Sequence, residues 1–202
     1  MKVLKKNQFG LACDFTSGAL GYRLRTSGRR QALPRAVGLD RGRTPSVVDA
    51  TAGLGRDAFL LASLGAKVTL VERSPRIHSL LKAGLLQATN NGGKAAEAAE
   101  RMTLHFGDTK TLLPNLAPEV VLVDPMHPPR KKSALVKKEM RLLREIVGTD
   151  EDALDLMHVA LASATKRVVL KWPLRAPAMA GLILPSHQIR GKTTRYDVFM
   201  MG

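Results

Sequence analysis

Carboxylates stand at the ends of four predicted strands, where an open sheet binds its ligands. Asp49 closes the first apolar run, Glu72 follows the second, and Asp108 and Asp124 follow the third and fourth. In an open, mostly parallel sheet the carboxyl ends of the strands meet at one edge, and ligands bind in the crevice outside them. We therefore expect the four acids to line a single site.

A glycine turn joins the first of these strands to the helix that follows it. The turn spans residues 51–57, contains Gly53 and Gly55, and ends in Arg56 and Asp57. Glycine adopts positive φ without a steric clash and lets the backbone approach a ligand closely. The order of strand, glycine turn and helix is typical of a nucleotide-type binding site at the edge of a parallel sheet.

The acids after the second and third strands suit an adenosyl group. Glu72 comes 17 residues after Gly55, close to the spacing at which an acid binds a pair of ribose hydroxyls. A carboxylate offers two acceptor oxygens for those two donors. Asp108 is a candidate acceptor for the adenine amino group, through its side chain or the neighbouring backbone. For Asp57 and Asp108 a helix N-cap or a surface charge is an equally good interpretation.

The acids near the glycine turn distinguish between two adenosyl cofactors. A dinucleotide would place its pyrophosphate beside Asp49 and Asp57, where like charges repel. The cationic sulfonium of S-adenosylmethionine would instead be attracted to them. The sequence therefore favours S-adenosylmethionine as the cofactor, and an NAD-dependent dehydrogenase is the less favoured alternative.

A second motif, at residues 124–127, carries chemistry for an amino group. Asp124 is followed by Pro125, which makes the loop after the strand rigid. The amino group of a nucleobase is a poor nucleophile because its lone pair is delocalised into the ring. Hydrogen bonds to Asp124 and to the Pro125 carbonyl would aim that lone pair at a methyl group, and His127 would stack on the base. The alternative interpretation is a plain proline turn.

Positive charge dominates the next stretch and the chain as a whole. Residues 130–144 hold seven bases and one acid, and the chain has a net charge of +15 with an isoelectric point near 10.5. Such a field suits a polyanion, because each phosphate contact releases counterions. A solvated helix face is the alternative, but its counter-charges are missing. We expect phosphate contacts from six residues: Arg130, Lys131, Lys132, Lys137, Lys138 and Arg141.

Length and composition limit the remaining classes. The chain has 202 residues and is 45% hydrophobic, which suits one α/β domain with a small extension. Its single cysteine excludes an internal disulfide framework, and no cysteine and histidine cluster has metal-ligand spacing, so no metal is expected. There is no run of 18 apolar residues, as a membrane span needs, and no hydrophobic core of a signal peptide. We expect a cytoplasmic protein.

The order of the elements predicts a doubly wound α/β fold. Strands are predicted at 47–50, 67–71, 102–106, 120–123, 167–171, 188–190 and 196–200, and helices at 56–64, 76–89, 95–101, 109–113, 133–147 and 152–165. This alternation favours a mostly parallel, seven-stranded sheet with helices on both faces. The last two strands are joined by a short connection, which implies one antiparallel strand at an edge.

The first 45 residues differ from the rest of the chain. They hold ten bases and two acids, a net charge of +8. Turn-forming residues between 11–15 and 20–24 predict a β-hairpin, and a short helix is predicted at 31–37. We therefore divide the chain into a basic N-terminal extension, 1–45, and a Rossmann-like domain, 46–202.

The motifs together resemble the ribosomal RNA small subunit methyltransferase J family. The resemblance rests on 47–59, Glu72-Arg73, Asp124-Pro125-Met126, the basic run 131–141, 164–169 and Tyr196-Asp197. It implies a class I S-adenosylmethionine-dependent methyltransferase that methylates N2 of a guanosine in 16S rRNA, with that RNA or the small ribosomal subunit as partner. It also implies cofactor contacts at Arg56, Asp57, Glu72, Arg73, Asp108, Thr109 and Asp124.

Two departures from the family and two alternative functions stay open at this point. Family members usually carry an aromatic residue where His127 stands, and they have a longer N-terminal region. The chain could instead methylate another base, such as N6 of adenine in RNA or DNA. It could also be a non-catalytic RNA-binding assembly factor that keeps the fold.

Overall fold

A seven-stranded sheet forms the centre of the protein. The computed structural model describes residues 12–15, 28–39, 42–126, 143, 145, 148 and 151–202. The strands are β1 (Ser46–Asp49), β2 (Lys67–Glu72), β3 (Met102–Phe106), β4 (Val120–Val123), β5 (Arg167–Pro173), β6 (His187–Arg190) and β7 (Thr194–Met200). The helices are α1 (Ala32–Ala36), α2 (Arg56–Ser63), α3 (Pro75–Asn90), α4 (Gly93–Glu100), α5 (Thr109–Leu112) and α6 (Ala153–Ser163).

The strand order places the glycine turn at the middle of the sheet. The order is β3-β2-β1-β4-β5-β7-β6, and β1 to β5 are parallel. The predicted sheet, seven-stranded and mostly parallel, is confirmed. Its antiparallel strand is β7, which lies one place in from the edge between β5 and β6. The crossover after β5 carries the chain to the outer position first, and the tight turn after β6 brings β7 back into the gap.

Element boundaries follow local signals that the sequence displays. The predicted bounds of β3 and β4 match the structure, and the other described strand and helix ends differ from their predicted positions by at most two residues. Helix α3 begins one residue before its predicted start, with Pro75 in its first turn and the Ser74 side chain accepting from the Ile77 N–H. Helix α2 is followed by Gly65 at φ 104°, a conformation that suits glycine after a helix end.

Two apolar layers cover the sheet, one on each face. On one face Val47, Leu70 and Leu122 pack with Leu60 of α2 and Ile77 of α3. On the other face the alternate strand residues Val48, Val71 and Val121 pack with Leu156 and Met157 of α6. Successive residues of a strand point to opposite faces, so strands buried on both sides are almost wholly apolar. This arrangement is the predicted doubly wound fold.

The described residues before β1 pack on the helical layer. The ring of Phe15 stacks on that of Phe59, with centroids 4.4 Å apart and planes 3° apart. Gly84 lies so close to Cys13 that a Cβ there would be 2.6 Å from the Cys13 carbonyl oxygen. Residues 12–15 are not a strand, so the prediction for 11–15 is wrong there: Cys13 and Phe15 are instead buried in the apolar layer that contains α2 and α3. The second half of the predicted hairpin, 20–24, lies outside the described residues.

Two other predictions concern the flanking segments. The short helix predicted at 31–37 is present as α1. Of the helix predicted at 133–147, the structure describes residues 143 and 145, both helical. The division of the chain at residue 45 stays a prediction. Across the described ranges, no helix combines the length and the hydropathy needed to cross a membrane.

Candidate active site

Two adjoining cavities open at the carboxyl edge of the sheet. The Glu72 cavity has an empty volume of about 600 Å³, and the Lys171 cavity has one of about 1150 Å³. The first is lined by Glu72, Arg73, Asp108, Thr109, Lys110 and Asp152, and the second by Asp49, Arg56, Asp57, Pro125 and Lys171. Both cavities share Thr51, Gly53, Asp124, Met126 and Leu143. The carboxyl edge therefore gathers nearly all of the predicted site residues that the structure describes.

The two glycines of the turn have different surroundings. Both have positive φ, 52° for Gly53 and 68° for Gly55. A Cβ on Gly55 would lie 2.5 Å from Cδ1 of Leu81, whereas the described atom nearest to a Cβ on Gly53 would be the Thr51 carbonyl oxygen, at 3.8 Å. Gly55 therefore lies behind the turn against α3 and lines neither cavity. Gly53 exposes bare backbone to both cavities.

Glu72 is held by the backbone on both sides of its carboxylate. It is the last residue of β2 and is buried, with Oε2 accepting from the Gly53 N–H at 2.9 Å and Oε1 from the Ser74 N–H at 2.7 Å. A carboxylate oxygen has two lone pairs, so it can accept from a ligand hydroxyl as well as from a backbone N–H. A fixed, buried carboxylate on the cavity wall fits a ribose diol, and the open space beside Gly53 fits a ligand against the backbone.

The residues after β3 connect α5 to the centre of the sheet. Asp108 caps α5, since its Oδ1 accepts from the Lys110 N–H at 2.9 Å, which is the N-cap role left open by the sequence. The Thr109 hydroxyl donates to the Ala50 carbonyl at 2.7 Å. Both residues still line the Glu72 cavity. The Thr109 hydroxyl thus ties this wall of the cavity to Ala50, the residue after β1.

Asp152 also lines the Glu72 cavity and was missed by sequence reasoning. It accepts from Nη1 of Arg73 at 2.9 Å and from Nζ of Lys110 at 2.6 Å. The hydrogen bond from Lys110, reinforced by Arg73, lowers the pKa of Asp152 against the opposing effect of burial. Its position immediately before α6 looks like an ordinary helix start, so the sequence holds no separate signal for this bridge. The predicted cofactor residue Arg73 thereby gains a defined partner.

Lys171 joins the two acids of the other cavity and was also missed. Its Nζ lies 2.7 Å from Oδ2 of Asp57 and 2.6 Å from Oδ2 of Asp124. Burial would lower the pKa of Lys171, but Asp124 and Asp57 outweigh it and raise that pKa, so the side chain stays an ammonium. The backbone N–H of Asp124 donates to Oγ1 of Thr51 at 2.7 Å. A lysine directly after the apolar run of the fifth strand was the available signal.

Asp49 is the most deeply buried acid of the group. Burial first, and then repulsion from Asp57 and Asp124, raise the pKa of Asp49 to about 7, although a hydrogen bond from the Thr51 N–H and the charge of Lys171 act in the other direction. Among its described residues, the Lys171 cavity therefore holds three acids, the ammonium of Lys171 and the guanidinium of Arg56. The predicted acidic environment is present, and Lys171 neutralises part of it.

Some predicted site residues cannot be placed in this geometry. Pro125 lines the Lys171 cavity, next to Asp124. His127 lies outside the described residues, as do the six predicted phosphate contacts between Arg130 and Arg141. In the part of the chain that the structure describes, no three acidic, histidine or cysteine residues are grouped to hold a metal ion.

Comparison with known proteins identifies the family. A family model described as "Putative SAM-dependent methyltransferase" matches residues 1–201. A protein named ribosomal RNA small subunit methyltransferase J from Agrobacterium fabrum is 63% identical over 199 residues, covering 98% of this chain and 96% of that protein. The one from Brucella anthropi is 66% identical over 191 residues, covering 94% and 93%. The one from Thioalkalivibrio sulfidiphilus is longer: its match covers 94% of this chain and 75% of that protein, at 53% identity.

Solved structures give the same result for the fold. A SAM-dependent methyltransferase from Neisseria gonorrhoeae matches 99% of this chain and 77% of its own, with a TM-score of 0.75 and 38% identity. The rRNA methyltransferase aviRa from Streptomyces viridochromogenes, at a TM-score of 0.55 and 15% identity, shares the fold. The predicted methyltransferase activity and the choice of S-adenosylmethionine over NAD are confirmed. The chain belongs to the S-adenosylmethionine-dependent methyltransferase family that includes the ribosomal RNA small subunit methyltransferases J.

Proposed function

We propose that this enzyme methylates the exocyclic N2 amine of a guanosine in 16S rRNA of the small ribosomal subunit. The observation that carries the proposal is the position of Asp124, an acid followed by proline, at the junction of the two cavities. The names of relatives that are 63% and 66% identical support the substrate. With that substrate, the enzyme acts in the cytoplasm.

The Glu72 cavity is where this chain would hold the nucleoside part of its cofactor. Glu72 would accept from the ribose hydroxyls, and the Gly53 backbone would lie against the ligand. Arg73, Asp108 and Thr109 line the same cavity. Arg56, Asp49 and Asp57 line the other one, where acids favour a cationic group. When bound, S-adenosylmethionine supplies a methyl group on a cationic sulfur.

Orientation of the amine is the principal contribution of the residues after β4. Asp124 and the carbonyl of Pro125 would accept the two N–H bonds of the amine and so direct its lone pair. The Asp124 carboxylate is already fixed by Lys171, and its backbone N–H by Thr51. Little reorganisation is then needed at the moment of transfer, and proximity of this kind lowers the barrier by several kcal/mol.

The RNA would reach this pocket with its target base out of the stack. His127 would stack on that base. Arg130, Lys131, Lys132, Lys137, Lys138 and Arg141 would contact phosphates. The support for these roles is the sequence: the bases begin three residues after His127 and have one acid among them up to residue 144.

The test is methyl transfer to purified RNA with the methylated nucleoside identified. Unmodified 16S rRNA and small subunits assembled from it are incubated separately with labelled S-adenosylmethionine, digested, and analysed by mass spectrometry. We expect N2-methylguanosine, and Asp124→Ala should abolish its formation. Labelled N6-methyladenosine would instead establish the alternative base. Cofactor binding without transfer to either substrate would favour the assembly factor.

A further inference from the structure

The turn between β6 and β7 lies at the same edge of the sheet as the two cavities. Because β7 is antiparallel to both neighbours, β6 runs in the direction of β5 and ends at the carboxyl edge. In the register of the sheet, Trp172 pairs with Arg195 and Arg195 with Arg190. Arg190 is therefore one row beyond Lys171, and the turn at 191–193 projects further in the same direction.

This hairpin lies within reach of an RNA strand bound at Asp124. Strands in a sheet are about 4.8 Å apart, so β6 lies about 14 Å from β4, with β5 and β7 between them. A polynucleotide spans that distance in a few nucleotides. The hairpin is also separate in sequence from the predicted phosphate contacts at 130–141.

Unpaired positive charge marks this part of the edge. Arg175, Arg190 and Lys192 are exposed, and within the described ranges the structure gives none of the three side chains an ion pair or hydrogen bond. From residue 171 to the end the chain has five bases and one acid, Asp197. That acid is buried and already bound to Arg195. No described carboxylate therefore neutralises the three exposed cations.

The cationic turn is held in place by a buried arginine. Arg195 Nη1 donates to the carbonyls of Pro173 and Ala176, at 3.1 and 2.5 Å, and its Nη2 donates to the Pro177 carbonyl at 3.3 Å. The Leu174 N–H donates to the Thr193 carbonyl at 3.2 Å. The loop that carries Arg175 is thus tied to the turn that carries Lys192. Because its backbone is already fixed, the cost of binding to this surface is mainly that of ordering the cationic side chains.

We propose that Arg175, Arg190 and Lys192 form a second RNA-backbone contact, which holds the substrate strand on the β6 side of the catalytic pocket. Phosphate is the partner that the chemistry favours, because the three groups are charged donors with no counter-charge beside them. The inference rests on the proposed RNA substrate. It adds a surface that neither the glycine turn nor the basic run at 130–141 contains.

The test compares two double variants with equal loss of charge. Arg190→Gln/Lys192→Gln removes the hairpin cations, and Arg43→Gln/Lys67→Gln removes two exposed cations at the opposite, amino edge of the sheet. Filter binding to in vitro transcribed 16S rRNA over a range of salt concentrations gives affinity and salt slope. Steady-state methylation gives KM and kcat, and calorimetry gives affinity for S-adenosylmethionine.

We expect the hairpin variant to bind RNA roughly tenfold more weakly at low salt, with the magnitude of its log–log salt slope reduced by about 1.4. KM for RNA should rise by a similar factor, while kcat and cofactor affinity stay within about twofold. The amino-edge variant should match the wild type. Equal behaviour of the two variants would overturn the inference. If wild-type protein binds RNA but methylates none, the proposed function fails, whereas the binding comparison still decides the role of the hairpin.

Discussion

At the scale of single residues, Lys171 determines the electrostatics of the catalytic pocket. Partly buried carboxylates from two different elements, Asp57 and Asp124, converge on its ammonium. Removing one partner of such a group leaves an uncompensated charge in a poorly solvated site, which is costly. Lys171 therefore stabilises the ionised carboxylate of Asp124 in the pocket where the amine must be bound. It acts through Asp124 and is a positioning residue.

Lys171→Met should lower kcat far more than it weakens RNA binding. Without the ammonium, Asp124 loses the contact that fixes its carboxylate, and a misplaced acceptor costs on the order of 10²-fold in rate. Lys171→Arg, which keeps the charge, should recover part of kcat. The measurement is steady-state methylation with RNA and cofactor varied separately. A variant with unchanged kcat and raised KM for RNA would show that Lys171 serves binding instead.

Asp49→Asn should reduce the decrease in the free energy of unfolding that accompanies a rise in pH. Burial raises the pKa of Asp49 from 3.8 to about 7, so between those values the folded protein holds a proton that the unfolded chain has released. Stability therefore falls as pH rises through that window, by up to about 4 kcal/mol. Denaturant unfolding at about pH 5 and about pH 8 measures the difference, which should be smaller in the variant. Identical differences in both proteins would contradict the assignment.

At the scale of elements, the glycine turn combines two separate requirements. Gly55 must be small because α3 packs against it, and Gly53 must be small because the cavities open beside it. Both also need positive φ. The same residue type thus serves packing at one position and ligand access at the other, two residues apart.

Two alanine substitutions separate these requirements. Gly55→Ala adds a contact with Leu81 to the cost of positive φ and should lower the free energy of unfolding by about 3 kcal/mol. In Gly53→Ala the strain comes from the positive φ, and the free energy of unfolding should fall by about 1–2 kcal/mol. Calorimetry should show the reverse order for the cofactor, with at least about tenfold weaker binding in Gly53→Ala. A larger cofactor effect at Gly55 in folded protein would refute this division.

Glu72→Gln should weaken both the turn and cofactor binding. One oxygen becomes an NH₂ group, so either Gly53 or Ser74 loses its acceptor, at a cost of about 1–3 kcal/mol. Affinity for S-adenosylmethionine should fall by at least about tenfold. Glu100→Gln is the control, because Glu100 is an exposed acid at the end of α4 and lines neither cavity. Wild-type cofactor affinity in Glu72→Gln would remove Glu72 from the site.

The sequence predicted those elements whose signals are local. Proline after Ser74, glycine after α2 and continuous apolar runs locate the helices and strands within a few residues. Acids at the ends of β1, β2 and β4 converge because parallel strands share an edge. The contact of Lys171 with Asp57 and Asp124 depends instead on β5 lying beside β4, a pairing that no local pattern specifies. Asp152 was missed for the same reason, since its partners follow β2 and β3.

At the scale of the whole molecule, the segment before β1 contributes to the core. Phe15 and Cys13 are buried in the same apolar layer as α2 and α3. Phe15→Ala should therefore lower the free energy of unfolding of the whole chain by about 3–5 kcal/mol. Phe106→Ala, at a ring that is 56% exposed, should cost less than about 1 kcal/mol. Denaturant unfolding of both variants measures this, and equal effects would show that the segment folds apart from the core.

The position of Lys171 in the chain has a consequence for the order of folding. During synthesis Asp49, Asp57 and Asp124 leave the ribosome before the lysine that neutralises them. A nascent chain that ends before β5 has these acids without the ammonium that bridges Asp57 and Asp124, and unpaired carboxylates favour water around the centre of the unfinished sheet. We expect the catalytic pocket to close only when β5 joins β4, after the glycine turn and its helix have already formed. The chain would thus complete its active site late, within about the last fifth of its translation.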